Sequence, residues 1–316
     1  MITVAIPVYN GENYLRDAVL SIINQTKEVE TILIIDDASK DDSQKLIYEI
    51  KNLYKNYKIK SFRNDSNLGY QKNWNKCFEY CNTKYLVILH QDDMLVNNSI
   101  EKQLLFMQNN PSIALVGGKE TYVYNGGKIA SSPKVVGNNK IYKKGEIYEF
   151  VLDHGSYIPC SSVMFNMEKI NEIGYFATDV LGTDELYWPG VLSKFPIAIL
   201  SESLIYRRIH SEQTIKIDAV EKFNNIIAGA NRQLQIIPYY DSRVELRPRI
   251  INRLRLKFSR NSINVFESLI NVESRRKIAF KYFVQAFNFY PFIFTTKSFW
   301  RSTGLTILIT LKLKAQ

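Results

Sequence analysis

Two carboxylates stand side by side at Asp92 and Asp93, directly after the apolar run of residues 85–89 (YLVIL). Such a run fits a strand buried on both faces of a parallel sheet, which puts the pair at the sheet rim. Adjacent carboxylates repel each other unless water, basic neighbours or a cation compensates, and a divalent metal holding a diphosphate does so through hard oxygen ligands. A second apolar run, residues 31–35 (TILII), also stops in acids, Asp36 and Asp37. Ligands of open α/β sheets sit outside the carboxyl ends of the strands, so two acidic ends could face one ligand. A solvated acidic turn is the plain alternative for either pair taken alone.

The elements that must position these acids can be read from periodicity. Residues 3–8 form a short apolar strand broken by Tyr9-Asn10-Gly11, and Leu15, Ala18, Val19, Ile22 and Ile23 then make one stripe of a helix over about 14–25. Leu46, Ile47, Ile50, Leu53 and Tyr54 mark a second helix; a strand near 59–63, a loop at 64–69 rich in turn formers, and a helix over about 71–81 lead into the run at 85–89. Repeated strand–helix–strand units of this length imply a doubly wound, mostly parallel sheet. A further strand is expected at 113–116 and a hairpin turn at Asn125-Gly126-Gly127.

The 316 residues, 46% hydrophobic, suffice for one large domain and an appendage and argue against disorder. The net charge of +10 is uneven, because residues 221–316 carry 17 Lys and Arg against 5 Asp and Glu. Cys77, Cys81 and Cys160 form no even disulfide framework, Cys77 and Cys81 read as small buried thiols, and the N-terminal MITVAIPVYNG lacks the regions of a secretory signal. These features point to a reducing cytoplasm, and without an apolar run of eighteen residues no transmembrane helix is expected.

The segments VAIPVYNGENYLRDAVLSIINQT, IIDDAS, NLGYQKNWN, LHQDDML, SSVMFNMEKINEIGYF, GTDELYW and YRRIHSEQT occur in this order over roughly residues 2–215. Each is weak alone, but in register they resemble family 2 glycosyltransferases. The resemblance implies an α/β GT-A fold over residues 1–216 with a C-terminal helical extension, 217–316. It also implies an inverting, metal-dependent transfer of a hexosyl or N-acetylhexosaminyl group from a nucleotide sugar, in particular a UDP-sugar, to a surface glycan or lipid-linked precursor.

Residue by residue, the resemblance implies that Asp93 contacts Mn²⁺ or Mg²⁺ directly, with Asp92 nearer the donor sugar or ribose. His90 stands where many relatives carry the first Asp of an Asp-x-Asp motif. Asp37 resembles the acid that accepts from uracil, and Asp36 its neighbour that orients the loop or reaches the ribose. Pro7, Tyr9 and Asn10 line the first strand-to-helix loop, while Asn67, Gly69 and Asn75 match a loop and helix beside the nucleotide. Asp184 resembles the catalytic base of inverting members; Glu185 competes for that role, but Trp188 falls at the family spacing from Asp184. Arg207 and His210 match a late motif that closes over the diphosphate or its metal. Pro189, soon after Asp184, suggests a kinked or delayed helix. A catalytically inactive binding module is the competing class. A sugar-phosphate nucleotidyltransferase is disfavoured because YNGENY replaces the Gly-rich basic loop expected after the first strand.

The tail interleaves Arg and Lys with large apolar residues, as in RPRIINRLRLKFSR and SRRKIAFKYFVQAFNFYPFIF. That pattern fits helices lying on an anionic membrane surface, or a packing or homo-oligomer face, and shows no nucleic-acid motif. The expected location is the cytoplasmic face of the plasma membrane.

Overall fold

The computed structural model describes residues 1–124, 129–131, 138–154, 157–178, 183–210, 247–270 and 276–292. The chain divides into two compact units, Met1–Gln213 and Thr214–Gln316.

The first unit is built on one mixed sheet. Its elements are β1 (Ile2–Val8), α1 (Leu15–Ile23), β2 (Thr31–Asp36), α2 (Ser43–Leu53), β3 (Ile59–Arg63), α3 (Tyr70–Glu79), β4 (Tyr85–Ile88), β5 (Met94–Leu95), α4 (Ser99–Asn109), β6 (Leu115–Tyr124), β7 (Ile129–Ser131), β8 (Lys140–Tyr142), α5 (Ile147–His154), a 3₁₀ turn (Cys160–Ser162), β9 (Met164–Asn166), α6 (Met167–Ile173), α7 (Thr183–Lys194) and β10 (Ile197–Ile209). The strand order is β3-β2-β1-β4-β9-β6-β10-β5, with β7 on β6 and β8 on β10. Strands β3, β2, β1 and β4 run parallel, as do β6 and β10, whereas β9 is antiparallel to both β4 and β6.

Sequence periodicity accounts for the parallel half. The apolar runs of β1, β2 and β4 are buried along their whole length, and α1 covers them with Leu15, Ala18, Val19 and Ile22. Each buried Leu, Val or Ile side chain stabilises the fold by about 1.5–3 kcal/mol relative to exposure. Pro7 is tolerated in a central strand because pairing of β4 with β1 ends at Ala5↔Ile88, so its missing N–H falls beyond that ladder.

Several details differ from the sequence expectations. The strand expected at 113–116 runs on to Tyr124, and β9, three residues long, divides β4 from β6. The hairpin turn expected at Asn125-Gly126-Gly127 lies outside the described residues, although β6 and β7 pair antiparallel on either side of it. Helix α7 begins at Thr183 and continues through Pro189, so its start is not delayed. Cys77 is fully buried, but Cys81 is only half-buried.

In the second unit, α8 (Arg247–Ile270) and α9 (Arg276–Phe289) pack together. Phe258 meets Phe289, Ser259 donates to the carbonyl of Ala286 at 2.6 Å, and Phe266 meets Phe283 and Phe280, an antiparallel order. Among the described residues no helix is long and apolar enough to cross a membrane.

Candidate active site

At the carboxyl edge of the parallel strands, Asp36 ends β2 and is 0% exposed. Its carboxylate takes hydrogen bonds from Gln44 at 2.5 Å, from the amide and hydroxyl of Ser39, and from Arg63 at 2.9 Å. These bonds fit the first of its two expected roles, orienting the loop. Asp37 is 1% exposed and accepts from Asn64 Nδ2 at 2.8 Å and from the amides of Leu68 at 2.8 Å and Gly69 at 2.9 Å. Three of its four lone-pair directions thus fold the 64–69 loop over the strand end.

The loop conformations follow from local chemistry. Gly69 has φ +84°, a left-handed value that favours glycine, and its amide is shared with Asn67 Oδ1 at 2.9 Å. Asn10 at φ 51° and Ala38 at φ 58° also hold positive φ, without that freedom. Asn10 is fixed by accepting from the Lys40 amide at 2.9 Å and by its own amide donating to Ser39 Oγ at 2.9 Å. Backbone strain of this kind costs about 1–3 kcal/mol and gathers at functional sites. Tyr9 is exposed, and Gln91 clamps its backbone with bonds of 2.9 and 3.0 Å. Pro7, by contrast, is buried within β1, where it packs rather than lines the loop.

Beyond β4, Asp93 is 5% exposed and accepts from Ser161 Oγ at 2.7 Å. Burial and the charge of Asp92 push its carboxyl up to about 7. His90 stacks on Trp74, with centroids 4.7 Å apart, and its Nδ1 lies 3.9 Å from Asp93 Oδ2. Burial lowers the imidazole to about 4, so His90 is neutral at pH 7, and its buried Nε2 has no hydrogen-bond partner among the described residues. Asp92 has its Oδ2 3.1 Å from Nε2 of His210, whose ring packs at a tilt against Tyr14 with centroids 4.3 Å apart. Arg208 secures this corner by donating to the Asp92 carbonyl at 3.2 Å and to Asp17 at 2.8 Å.

His90, Asp92 and Asp93 each offer a ligand atom within 4.8 Å of the others. Two carboxylates, an imidazole with an orphaned nitrogen and a second imidazole on Asp92 suit a divalent cation of the Mn²⁺ or Mg²⁺ kind. Asp93, expected to be the direct contact, is the more enclosed and is tied to Ser161; Asp92 is the more open carboxylate.

Asp184 sits in the first turn of α7. Thr183 Oγ1 donates to the Ala177 carbonyl at 2.6 Å and Tyr187 Oη to the Gly174 carbonyl at 2.7 Å, which anchors that turn. Asn75 exchanges two bonds with the backbone of Phe176, so it ties α3 to this segment. Burial raises the Asp184 carboxyl above the usual carboxylate range, against the pull of its local backbone amides and of Arg207. Arg207 also acts on Asp93, so both acids lie in the field of one guanidinium. Arg207 itself donates to Tyr157 Oη at 2.6 Å and to Glu120 at 3.3 Å.

Sequence reasoning did not assign Gln91, Trp74, Glu120 or Tyr157, nor the bond from Ser161 to Asp93. Each acts across a long sequence separation, 68 residues for Ser161 to Asp93 and 87 for Arg207 to Glu120, and no local spacing signals such a bond.

The glycosyl transferase family 2 model matches residues 3–174, more than half of the chain. This chain is a family 2 glycosyltransferase. An uncharacterized glycosyltransferase of Haemophilus influenzae is 25% identical over 269 residues, covering 81% of this chain and 79% of its own length. The abequosyltransferase RfbV of Salmonella typhimurium is 34% identical over 124 residues, 38% of this chain and 37% of RfbV. The crystal structure of S. aureus TarS 1–349 in complex with UDP-GlcNAc superposes with a TM-score of 0.58 at 15% identity, over 92% of this chain and 91% of that chain. At that identity the likeness is one of fold, and the fold is GT-A.

Proposed function

We propose that this glycosyltransferase takes its sugar from a nucleotide sugar of the UDP class and places it, with inversion, on a hydroxyl of a surface glycan or lipid-linked precursor. The observation that carries the reading is the gathering of Asp92, His210, Arg207 and the high-lying carboxyl of Asp184 at the edge where Asp37 folds its loop. The nucleoside lies along Tyr9, Asn10 and the 64–69 loop, which Asp37 folds over the strand end. The UDP-GlcNAc held by TarS, a chain of like fold, supports this donor class.

Asp92 and His210 would hold the divalent cation, with His90 and Asp93 behind, and bound there it supplies Lewis-acid stabilisation of the departing diphosphate. Arg207, oriented by Glu120 and Tyr157, adds positive charge on the same side. The Asp184 carboxylate takes the proton of the acceptor hydroxyl as its oxygen bonds to the anomeric carbon. The bond from that carbon to the diphosphate oxygen breaks, and the electron pair leaves with the nucleotide. A carboxyl held above its usual range is a stronger base for this step than an exposed aspartate.

Incubation of the intact protein with Mn²⁺ and a panel of UDP-, GDP- and TDP-sugars tests the reading. A UDP-sugar is expected to be hydrolysed slowly and transferred faster once acceptor is present, with the anomer inverted by NMR. Tight UDP binding without turnover on any sugar or acceptor would make the chain a binding module instead.

A further inference from the structure

Asp92 is held from two sides by residues at the end of β10, and both of those residues meet one aromatic ring. Strand β10 stops at Ile209, whose pairing with Tyr124 is the last rung of its ladder with β6, so His210 stands one residue beyond it. Its backbone lies past the ladder, yet its side chain is only 5% exposed and sits 3.1 Å from Asp92 Oδ2. Tyr14 supplies the surface it packs on, with centroids 4.3 Å apart and ring planes at 37°. The same ring carries the Arg208 guanidinium, 5.4 Å from its centroid. Arg208 in turn donates to the Asp92 carbonyl and to Asp17. Tyr14 therefore touches both the imidazole that faces the Asp92 carboxylate and the guanidinium that holds its backbone.

The ring is stiff because its place in the chain is fixed. Tyr14 closes the turn that follows Tyr9-Asn10-Gly11: its amide donates to the Gly11 carbonyl at 3.1 Å, and its carbonyl accepts from the amides of Asp17 at 3.1 Å and Ala18 at 3.3 Å. Leu15 and Ala18, buried, pin that first turn of α1. A pinned backbone leaves the half-buried Tyr14 ring only its two side-chain torsions. At the other end of the same loop, Gln91 clamps the backbone of Tyr9. The loop along which the nucleoside lies thus meets the acid corner at two points, Gln91 and Tyr14. A leucine at position 14 would fill space but offer neither a flat face to an imidazole nor the electron-rich ring that a guanidinium favours. Groups behind a metal or phosphate ligand fix its orientation, and losing one typically weakens metal binding about 10–100-fold.

We infer that Tyr14 is a positioning residue, whose ring presets His210 and, through Arg208, Asp92 for the cation and the diphosphate. The inference rests on the nucleotide-sugar reading above and deepens it by naming what aligns the acid corner.

Calorimetry on the full chain measures UDP with Mn²⁺, UDP without metal and UMP without metal, for wild type, Tyr14→Phe and Tyr14→Leu. Tyr14→Leu should weaken Mn²⁺-dependent UDP binding about tenfold or more and leave UMP within about twofold of wild type. Tyr14→Phe keeps the ring and should track wild type in both. Titration of free Mn²⁺ by EPR in the presence of UDP should give the same order. Equal weakening of UDP and UMP would reduce the effect to a general loosening of the loop and overturn the inference. So would wild-type values for Tyr14→Leu, or a Tyr14→Phe as weak as Tyr14→Leu, which would assign the effect to the hydroxyl. Should Tyr14→Leu fail to fold, Tyr14→Met, unbranched and without a ring, is held to the same criteria. UDP binding by wild type that ignores Mn²⁺ overturns the inference while the nucleotide-sugar reading stands. Absence of all nucleotide binding in wild type strikes that reading itself, and shows before any variant is compared.

Discussion

Asp184 is half-buried and Asp93 buried, in different surroundings, and their expected behaviour differs accordingly. Asp184→Asn keeps the shape of the side chain but removes the proton acceptor. Transfer should fall by about 10²–10⁴-fold, the usual worth of a general base, while UDP affinity in calorimetry stays near wild type. Because burial raises the Asp184 carboxyl and the base must be ionised, kcat/KM of wild type should rise with pH along an acid limb lying above the usual carboxylate range. An acid limb at the ordinary position, or normal transfer by Asp184→Asn, would move the base to Glu185. Asp93 instead depends on a neighbour. Ser161→Ala leaves that buried carboxylate short of the Ser161 hydrogen bond, and urea denaturation should show a loss of about 1–3 kcal/mol.

The elements that carry these residues were legible in unequal measure. Strands β1, β2 and β4 and their acidic ends could be read because a strand buried on both faces must be apolar throughout and stop where it meets water. Strand β9 could not, since three residues, Met164–Asn166, leave no periodicity to detect. Of the two outcomes expected of Pro189, a kinked or a delayed helix, the delay does not occur: burial of Tyr187, Trp188 and Val191 carries α7 across it. The loop of residues 64–69 was legible as a turn, yet its dependence on Asp37, about thirty residues away, was not. Gly69 marks the strained point of that loop. Gly69→Ala meets no atom within 4 Å, so its cost is conformational, about 1–3 kcal/mol in thermal unfolding. The same change should weaken UDP binding by loosening the loop, and a variant as stable as wild type would remove Gly69 from this role.

At the scale of the molecule, the excess positive charge lies in the second unit, while the chemistry lies in the first. On α9, Phe280 and Val284 are 48% and 57% exposed, and Lys277 and Lys281 lie on the same helical face at i, i+4 spacing. Apolar residues flanked by lysines fit the surface of an anionic bilayer, and we propose this as the route by which the enzyme meets lipid-linked substrates. In flotation with phosphatidylglycerol vesicles, the full chain carrying Phe280→Glu and Val284→Glu should stay in the unbound fraction while wild type floats. Equal flotation of both, or of neither, would contradict a membrane role for this face. The central claim, however, is that acids from separate strand ends meet one cation and one nucleotide diphosphate. Calorimetric titration of UDP into wild type and Asp92→Ala, each with and without Mn²⁺, tests it most directly. The account predicts Mn²⁺-dependent binding by wild type and at least tenfold weaker binding by Asp92→Ala; equal UDP affinity in all four titrations would contradict it.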